Sequence, residues 1–442
     1  MESTQATALK PNNQAFYLLM ATEFWERFSY YSMQLLLVLY ASATLSQGGL
    51  GWSKVMALQL VGIYGAASFI LPIFGAILAD RQLGQKSAAL IGATLMAFGH
   101  FTLAIHATFA FYLGLVLLVV GSGFFKSCIP AMIAQIFEKH KIKKSNAYST
   151  YYMMINIGAA LAGFSTGLAQ VYFGYHTAFT IAGFGMAIGF FTLLIGCKFF
   201  LKGIGSKPEQ DTKIKLKRPS IRKLLSENTV ARNRYKVYVF LTAFFLIQYC
   251  FYYIVTNGPL TLYIEHNVNR HIGNFLIPTT WFQTLDSIST VVAAFIWNMV
   301  FLYFAQKKNT VISVPNKIGF GLIGLGISFT IIAYAAFQIY LHPDSLISIW
   351  PFVAFFILSN FATMLITPTV LYASNEYIPQ GTHSFHTAIY YVMIGIASYV
   401  ASWVGALIFI VGAFQVFSII SVIMVILGII HLVMEKRLNS LT

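Results

Sequence analysis

Long apolar runs separated by short polar breaks make up most of the chain. The runs are continuous and do not alternate between apolar and polar positions, so they predict α-helices and not the strands of a membrane β-barrel. An apolar helix needs about 20 residues to cross a bilayer, and the runs reach about that length. The breaks divide the chain into twelve predicted membrane spans, near 15–42, 54–79, 87–106, 109–137, 146–171, 177–201, 235–264, 274–305, 314–340, 347–377, 385–411 and 412–434.

The composition of the chain agrees with this pattern. Of its 442 residues, 58% are apolar and 9% are charged, and the mean hydropathy is +0.72. Soluble domains carry about 25% charged residues. The composition therefore excludes a soluble enzyme, a nucleic-acid-binding protein and a disordered chain. It predicts a multi-pass integral membrane protein, and the short outer loops favour a bacterial inner (cytoplasmic) membrane.

The net charge of +15 is concentrated on one side of the predicted spans. Basic residues are enriched in cytoplasmic loops, so both termini are predicted to be cytoplasmic. The opposite side shows Lys54 and Arg270. The positive charge is therefore interpreted as topology, and we expect no nucleic-acid partner. The clustered basic residues are Lys139, Lys141, Lys143, Lys144, Lys202, Lys207, Lys213, Lys215, Lys217, Arg218, Arg222, Lys223, Arg232, Arg234, Lys307, Lys308, Lys317, Lys436 and Arg437.

A charged stretch at 202–234, which contains Pro208 and Pro219, separates two sets of six predicted spans. The predicted domains are an N-terminal six-helix bundle at 1–201, this basic cytoplasmic linker, and a C-terminal six-helix bundle at 235–442. Two six-helix halves around a site in the middle of the membrane are the layout of major facilitator transporters. The predicted fold class is accordingly an all-α membrane protein with the major facilitator fold.

Three ionisable residues lie inside the first predicted span: Glu23, Glu26 and Arg27. Charges at membrane depth are costly and indicate function by default. Glu23 and Arg27 are one helical turn apart, in the order that favours an ion pair. Because two acids compete for one base, the group is predicted to bind and release a proton. The alternative is a static ion pair near the cytoplasmic end of the span.

The same helix face continues through aromatic and amide side chains, Tyr30, Tyr31 and Gln34. A polar and aromatic stripe in an apolar helix is predicted to face a hydrated cavity and not lipid.

Further polar residues interrupt other predicted spans. Lys126 is interpreted as a partner for a substrate carboxylate or for a proton-carrying acid, or else as a structural lysine bound to carbonyl groups. Asp286 is predicted to face Lys126 or a cationic group of the substrate, but it lies close enough to a span end to be hydrated instead. Asn156 is predicted either to bind substrate or to join two helices, and the two readings are equally supported.

No pattern in the sequence indicates a metal site, a disulfide or an enzyme. The cysteines Cys128, Cys197 and Cys250 are scattered, and the histidines form no ligand pattern. His383 and His386 are expected to mark a hydrated helix start. We expect no cofactor apart from the proton as coupling ion.

Several motifs resemble those of the proton-dependent oligopeptide transporter family within the major facilitator superfamily. The stretch from Glu23 to Tyr31 fits the family's E-x-x-E-R-F-x-Y-Y signature at every fixed position. Weaker similarities follow along the chain, and the resemblance is strong in the first half and divergent in the second. The weaker similarities are at Gly75–Gly84 after the second span, Gly121–Lys126 in the fourth, Tyr152–Gly158 in the fifth and Trp281–Asp286 in the eighth.

The resemblance implies roles for residues at the matching positions. It implies proton coupling by Glu23, Glu26 and Arg27. It also implies a cytoplasmic latch formed by Asp80 and Arg81. The implied substrate pocket is lined by Tyr30, Tyr31, Gln34, Phe69, Lys126, Asn156, Gln283 and Asp286.

The departures from the family pattern concern the substrate. Gln34 replaces an arginine, and Phe69 replaces a tyrosine. The seventh span has no acid near Ile254, and Thr363 occupies the region of the tenth span where the family has a glutamate. Tyr390 stands in place of a tryptophan. The elements that recognise a peptide amine are thus altered, whereas the proton-coupling residues are retained.

The leading hypothesis is proton-coupled symport of a small peptide or peptide-like metabolite by alternating access. An alternative is a proton-coupled carrier, for uptake or export, of a non-peptide solute such as a siderophore-like compound, a modified amino acid or a drug. A non-transporting membrane receptor is the alternative from another class. The expected partners are a small-molecule substrate and the bilayer, and the protein is expected to function as a monomer.

Overall fold

The computed structural model describes residues 13–138, 141–206, 228–256, 258–307, 312–343, 345–379 and 383–441. Most of the predicted linker, at 207–227, lies outside the described residues. In the described part of the chain the α-helices are α1 (Asn13–Ser42), α2 (Lys54–Leu78), α3 (Gln85–Leu103), α4 (Thr108–Phe125), α5 (Cys128–Ile136), α6 (Lys141–Phe173), α7 (Tyr175–Phe199), α8 (Thr229–Thr256), α9 (Pro259–Asn267), α10 (Trp281–Lys307), α11 (Val314–Leu341), α12 (Trp350–Glu376), α13 (His383–Ile410), α14 (Ala413–Val433) and α15 (Glu435–Asn439).

The long helices begin and end close to the predicted span boundaries. Within the described residues, ten of the predicted spans are helices long and apolar enough to cross a membrane, so the chain is a multi-pass integral membrane protein. The other two predicted spans correspond to α1 and α3. Helix α1 is 30 residues long but carries three charged side chains, and α3 has 19 residues. Twelve spans and cytoplasmic termini therefore remain predictions.

Two predicted spans are interrupted. The fourth span divides into α4 and α5 at Lys126 and Ser127. The seventh divides into α8 and α9 next to Gly258, whose φ of +110° is accessible mainly to glycine. Pro259 then occupies the first position of α9, where its missing N–H costs nothing. Backbone hydrogen bonds continue next to both breaks, where the N–H of Lys126 donates to Ser122 at 3.0 Å and the N–H of Leu262 donates to Gly258 at 2.8 Å.

The predicted start of the eighth span at 274 was wrong. Strands β1 (His271–Ile272) and β2 (Phe275–Leu276) form an antiparallel pair there, with His271 opposite Leu276. Gly273, at φ +59°, makes the turn. Pro278 follows the hairpin, and α10 begins only at Trp281. The apolar residues of this hairpin were mistaken for the beginning of the helix because short apolar strands and helix ends look alike in sequence.

The chain divides into two compact units. The first contains the described residues within Met1–Met33, Ile70–Ala162 and His176–Lys213. The second contains those within Gln34–Phe69, Gly163–Tyr175 and Ile214–Thr442. The predicted division at 202–234 stays a prediction.

Close backbone contacts at glycines hold the first unit together. A Cβ atom added to Gly75 of α2 would lie 2.0 Å from the carbonyl oxygen of Gly123 in α4. Helix α3 meets α4 in the same way, because a Cβ added to Gly92 would lie 2.6 Å from the carbonyl oxygen of Gly121. Small residues at such positions are typical of helix pairs in membranes, where close packing drives association.

The second unit has a core of large side chains. Phe329, Phe352, Phe355 and Phe417 are fully buried in a cluster that joins α11, α12 and α14. The C-terminal part of α6 belongs to this unit, because the hydroxyl of Thr280 donates to the carbonyl oxygen of Gly163 at 2.7 Å. The second unit combines this aromatic packing with close glycine contacts, since a Cβ added to Gly428 of α14 would lie 2.8 Å from the carbonyl oxygen of Gly319 in α11.

We predict that Gly75→Ala destabilises the protein by about 1–3 kcal/mol, the usual cost of overpacking a well-packed contact. The measurement is thermal unfolding of the purified protein in detergent. The matched control is Gly123→Ala in the same helix pair, where the added Cβ would lie 3.2 Å from the Cβ of Leu71 and 3.5 Å from the nearest backbone atoms, so the crowding is much milder. Equal losses in the two variants would contradict this account of the contact.

Candidate functional site

The three charged residues of α1 form one buried cluster in the first unit. The exposed fractions are 2% for Glu23, 0% for Glu26 and 5% for Arg27. Thr22, Phe28 and Ser29 of α1 are also buried, so these side chains help to shield the charges from solvent. Burying charges costs several kcal/mol per ion unless partners compensate. The three charges must therefore be compensated by ion pairs and hydrogen bonds within the protein.

Arg27 contacts both acids, as the sequence predicted. Its Nη2 atom donates to Oε1 of Glu26 at 2.6 Å, and its Nε donates to Oε2 of the same carboxylate. Its Nε also lies 3.2 Å from Oε1 of Glu23, one helical turn away. Glu26 thus holds the guanidinium in a two-point contact, and Glu23 shares it from the side.

The hydroxyl of Tyr151, on α6, completes the cluster. It donates a hydrogen bond of 3.0 Å to Oε1 of Glu23. The same carboxylate oxygen therefore receives one neutral donor and one guanidinium contact. The sequence analysis did not assign Tyr151 a role, because the contact joins positions 128 residues apart.

Glycines on neighbouring helices allow this close approach. A Cβ added to Gly158 of α6 would lie 2.7 Å from the carbonyl oxygen of Phe24 and 3.1 Å from the Cβ of Arg27. On α7, a Cβ added to Gly189 would lie 3.2 Å from the Cβ of Trp25. The charged turn of α1 is therefore in backbone-level contact with α6, which carries Tyr151.

The ring of Tyr30 lies close to two cations. The centroid of the ring is 4.9 Å from Cζ of Arg27 and 5.1 Å from Nζ of Lys126. Cation–π contacts of this kind stabilise a desolvated cation by about 2 kcal/mol. Lys126 is the residue at which α4 ends. The structure therefore joins the predicted residues Glu23, Glu26, Arg27, Tyr30 and Lys126 in one cluster.

The other predicted residues of the first unit lie on α1, on α6 and in the turn after α2. Tyr31 is half-buried, and its ring centroid is 5.3 Å from that of Tyr30. Asn156 is half-buried, and its amide donates to the carbonyl oxygen of Tyr152 on its own helix at 2.9 Å. Asp80 and Arg81 are exposed in a π-helical turn after α2. Asp80 accepts from the amide of Gln85 at 2.9 Å.

A second polar cluster, in the second unit, surrounds Asp286. This side chain is 4% exposed, which argues against the hydrated position considered from the sequence. Its Oδ1 accepts from the amide of Asn360 at 2.8 Å, and its Oδ2 accepts from the amide of Gln283 at 3.2 Å. Thr290 in turn donates to the carbonyl oxygen of the Asn360 amide at 2.7 Å.

Asp286 makes no ion pair with any residue that the structure describes. Neutral amides alone hold its carboxylate, in contrast to the guanidinium that serves the acids of α1. Asn360 and Thr290 were missed in the sequence analysis. The signal available was a buried amide in the tenth span, but its spacing from Asp286 gives no indication of contact.

The remaining predicted residues lie elsewhere in the second unit. Gln34 is 6% exposed on α1. Phe69 is half-buried, and its ring packs edge-on against Tyr253 with centroids 6.1 Å apart. His386 was expected to be hydrated, and this was wrong. It is 2% exposed and packs against Tyr235 and Tyr238, because tertiary packing covers the start of α13.

Comparison with known proteins identifies the family. The family model described as POT family matches residues 86–216 and 209–409. The chain belongs to the POT family. This confirms the resemblance that the α1 signature indicated. The second matched segment also includes the half in which the motifs are divergent.

POT-family relatives in bacteria share a modest identity with this chain. The transporter YclF of Bacillus subtilis (strain 168), described as uncharacterized, is 27% identical over 83% of this chain and 82% of its own length. The peptide transporter YePEPT of Yersinia enterocolitica is 28% identical over 72% of this chain and 73% of its own length. A di-/tripeptide transporter of Lactococcus lactis (strain IL1403) is 33% identical over 45% of this chain and 41% of its own length.

Solved POT structures have the same fold. A crystal structure of a peptide transporter POT in complex with sulfate superposes with a TM-score of 0.86 at 23% identity, and 97% of this chain and 96% of that chain are covered. A POT-family transporter in complex with 5-aminolevulinic acid gives a TM-score of 0.84 at 21% identity, with 96% of both chains covered.

We predict that Tyr151→Phe destabilises the protein by about 1.5–3 kcal/mol, since the buried carboxylate of Glu23 loses a donor. The measurement is the unfolding midpoint in detergent. The control is Tyr172→Phe on the same helix, where the side chain is 60% exposed, and we expect no change there.

A double-mutant cycle tests the contact itself. In a Glu23→Gln background, Tyr151→Phe should cost clearly less than it does in the unsubstituted chain. A loss of the same size in both backgrounds would show that Tyr151 stabilises the protein through some other contact.

Proposed function

We propose that this POT-family protein is a secondary active transporter that couples proton entry to uptake of a small peptide or peptide-like metabolite. The observation that carries the proposal is the buried group of two acids and one base on α1. Such groups inside a membrane protein are characteristic of proton relays. The family membership supports proton-coupled peptide transport as the general activity.

The contacts in the cluster favour Glu23 as the residue that takes up the proton. Glu26 receives two guanidinium N–H groups, whereas Glu23 receives the neutral hydroxyl of Tyr151 and a longer contact to Arg27. With both acids ionised, the three α1 side chains carry a net charge of −1. Protonation of Glu23 leaves Glu26 and Arg27 as a neutral pair, so the cluster changes charge without losing its strongest contact.

Lys126 supports recognition of an anionic group on the substrate. Its Nζ atom lies 5.1 Å from the centroid of the Tyr30 ring, which Arg27 also contacts. Loss of the negative charge on Glu23 would weaken the electrostatic attraction that the cluster exerts on Lys126, which leaves the lysine better able to bind a carboxylate. Proton uptake by Glu23 and binding of a substrate carboxylate by Lys126 would then both depend on the electrostatic attraction between these two side chains.

Asp286 supports recognition of a substrate amine. Its carboxylate is buried, and the described residues provide it with amides but no cation. A buried charge without a counter-ion is unfavourable, so an ammonium group on the substrate would be stabilising there. We therefore propose that Asp286 takes the place of the family acids that are absent near Ile254 and Thr363, which are themselves buried.

The remaining proposals concern architecture. We propose twelve spans with cytoplasmic termini, two halves at 1–201 and 235–442, and a latch at Asp80 and Arg81. The ten apolar helices, the distribution of basic residues and the likeness to POT structures support this arrangement. Alternating access between two such halves is the working principle of this layout.

A non-peptide solute is the second candidate, and the altered amine-binding positions favour it. Solved relatives are described in complex with alafosfalin and with 5-aminolevulinic acid. The latter is a small amine-bearing acid and has no peptide bond.

We predict that Glu23→Gln abolishes substrate accumulation driven by an inward proton gradient but leaves counterflow exchange largely intact, because a glutamine cannot carry the proton. The measurement uses the protein in proteoliposomes with an imposed gradient. Glu138→Gln, which removes an exposed acid from the same unit, is the control and should behave as the unsubstituted protein. Full accumulation by Glu23→Gln would remove that residue from the coupling mechanism.

The same assay separates the alternative functions. Gradient-driven accumulation by the unsubstituted protein supports symport, and gradient-driven loss of substrate supports export. A receptor would bind substrate without exchange across the membrane.

We predict that Asp286→Asn raises the KM for amine-bearing substrates by about tenfold or more, the cost of losing a charge-assisted hydrogen bond. The KM for an N-acetylated analogue should stay unchanged, since that compound has no ammonium group. Glu376→Gln, at an exposed acid of the same unit, provides the control. Equal effects of Asp286→Asn on the two substrates would contradict the assignment of Asp286 to the amine.

A further inference from the structure

A cavity of about 580 Å³ lies in the second unit, between α10, the beginning of α11 and the end of α12. Its volume is within the range of sites that hold small organic molecules. None of the residues assigned above to proton coupling or substrate binding lines it. The cavity therefore belongs to neither cluster described for the transport site.

The lining combines apolar walls with polar groups. Trp297, Phe301 and Met364 contribute apolar surface, whereas Asn298 and Thr369 contribute amide and hydroxyl groups. Trp297 is fixed in place, because its indole N–H donates to the carbonyl oxygen of Phe361 at 2.8 Å. An amphipathic molecule matches such a lining better than a purely polar or purely apolar one.

Exposed apolar side chains of α10 lie beside the cavity, as expected for a helix that borders lipid. On α10, Phe295 is 64% exposed, Met299 49% and Leu302 48%, so this helix presents large apolar side chains outward. Asn298 lies among them and is exposed, which is unfavourable against hydrocarbon. A polar head group at this position would satisfy it.

Lys317 supplies the charge of the cavity. It is half-buried, and its Nζ lies 4.3 Å from the ring centroid of Phe301. It makes no ion pair with a described residue. Glu435 of α15 lies against the beginning of α11 and instead accepts hydrogen bonds from the hydroxyl of Ser313 at 2.6 Å and from the side-chain amide of Asn316 at 2.7 Å. The positive charge of Lys317 is thus uncompensated within the described chain.

We propose that this cavity binds the phosphate-bearing head group of an anionic phospholipid, with Lys317 as its counter-ion. The apolar walls hold the upper part of the acyl chains, and the polar groups contact the glycerol and phosphate oxygens. Basic cavities between membrane helices on the cytoplasmic side bind such head groups. Lys307 and Lys317 flank the connection between α10 and α11, which the basic residues predict to be cytoplasmic.

The test is native mass spectrometry of the full-length, delipidated protein titrated with phosphatidylglycerol. We expect one tightly bound lipid, and we expect Lys317→Gln to weaken that site at least fivefold. Lys317→Arg keeps the charge and should retain binding. Lys307→Gln is the matched control. This exposed lysine ends α10 next to Tyr303 and does not line the cavity, so its loss should change the affinity less than twofold.

Two further probes separate the sources of the phosphate. Phosphatidylcholine, which is zwitterionic, should bind Lys317→Gln and the unsubstituted protein alike. Glycerol phosphate, which has no acyl chains, should bind far more weakly than phosphatidylglycerol. The proposal is overturned if Lys317→Gln and Lys307→Gln have the same effect, or if glycerol phosphate binds as tightly as the lipid. Binding measured at pH 7 without a gradient is independent of transport, so its failure would leave the proposed function unaffected.

Discussion

The burial of Glu23, Glu26 and Arg27 in one turn of α1 is the constraint on which the first unit depends. Removing three charges from water is compensated only when each finds partners at short range. Arg27 supplies most of them, and the hydroxyl of Tyr151 supplies another. That hydroxyl arrives because Gly158 lets the backbone of α6 approach α1. The close approach that Gly158 allows and the hydrogen bond that Glu23 receives thus depend on the same contact between α1 and α6.

The second unit buries an acid by a different means. Asp286 is held by the amides of Asn360 and Gln283, and Thr290 fixes the orientation of Asn360. Amide donors stabilise a carboxylate without neutralising it, so this cluster keeps a negative charge available for a cation. The acids of α1 have a permanent counter-ion, whereas Asp286 has none among the described residues. This difference agrees with the proposal that the acids of α1 couple protons and that Asp286 recognises a substrate amine.

Helix interruptions place polar groups within long apolar segments. Lys126 ends α4, and Gly258 with Pro259 separates α8 from α9. Broken helices are tolerated at membrane depth where protein or a water-filled cavity surrounds the free backbone groups. Lys126 keeps helical φ and ψ angles, and its N–H donates to the carbonyl oxygen of Ser122 at 3.0 Å, so the end of α4 itself places the ammonium near the Tyr30 ring, close to the buried ion cluster.

The sequence by itself determined most of the long helices of this protein and the position of its charged turn. Hydrophobic run length gives most helix boundaries, because about 20 apolar residues are needed to cross a bilayer. Helical periodicity gives the pairing of Glu23 with Arg27, which are neighbours on one helix. The tertiary structure alone decided the contacts of Tyr151 with Glu23 and of Asn360 with Asp286, which join residues 128 and 74 positions apart. Local patterns carry no information about which distant helix faces come together, since that depends on packing against neighbours that a single segment does not contain.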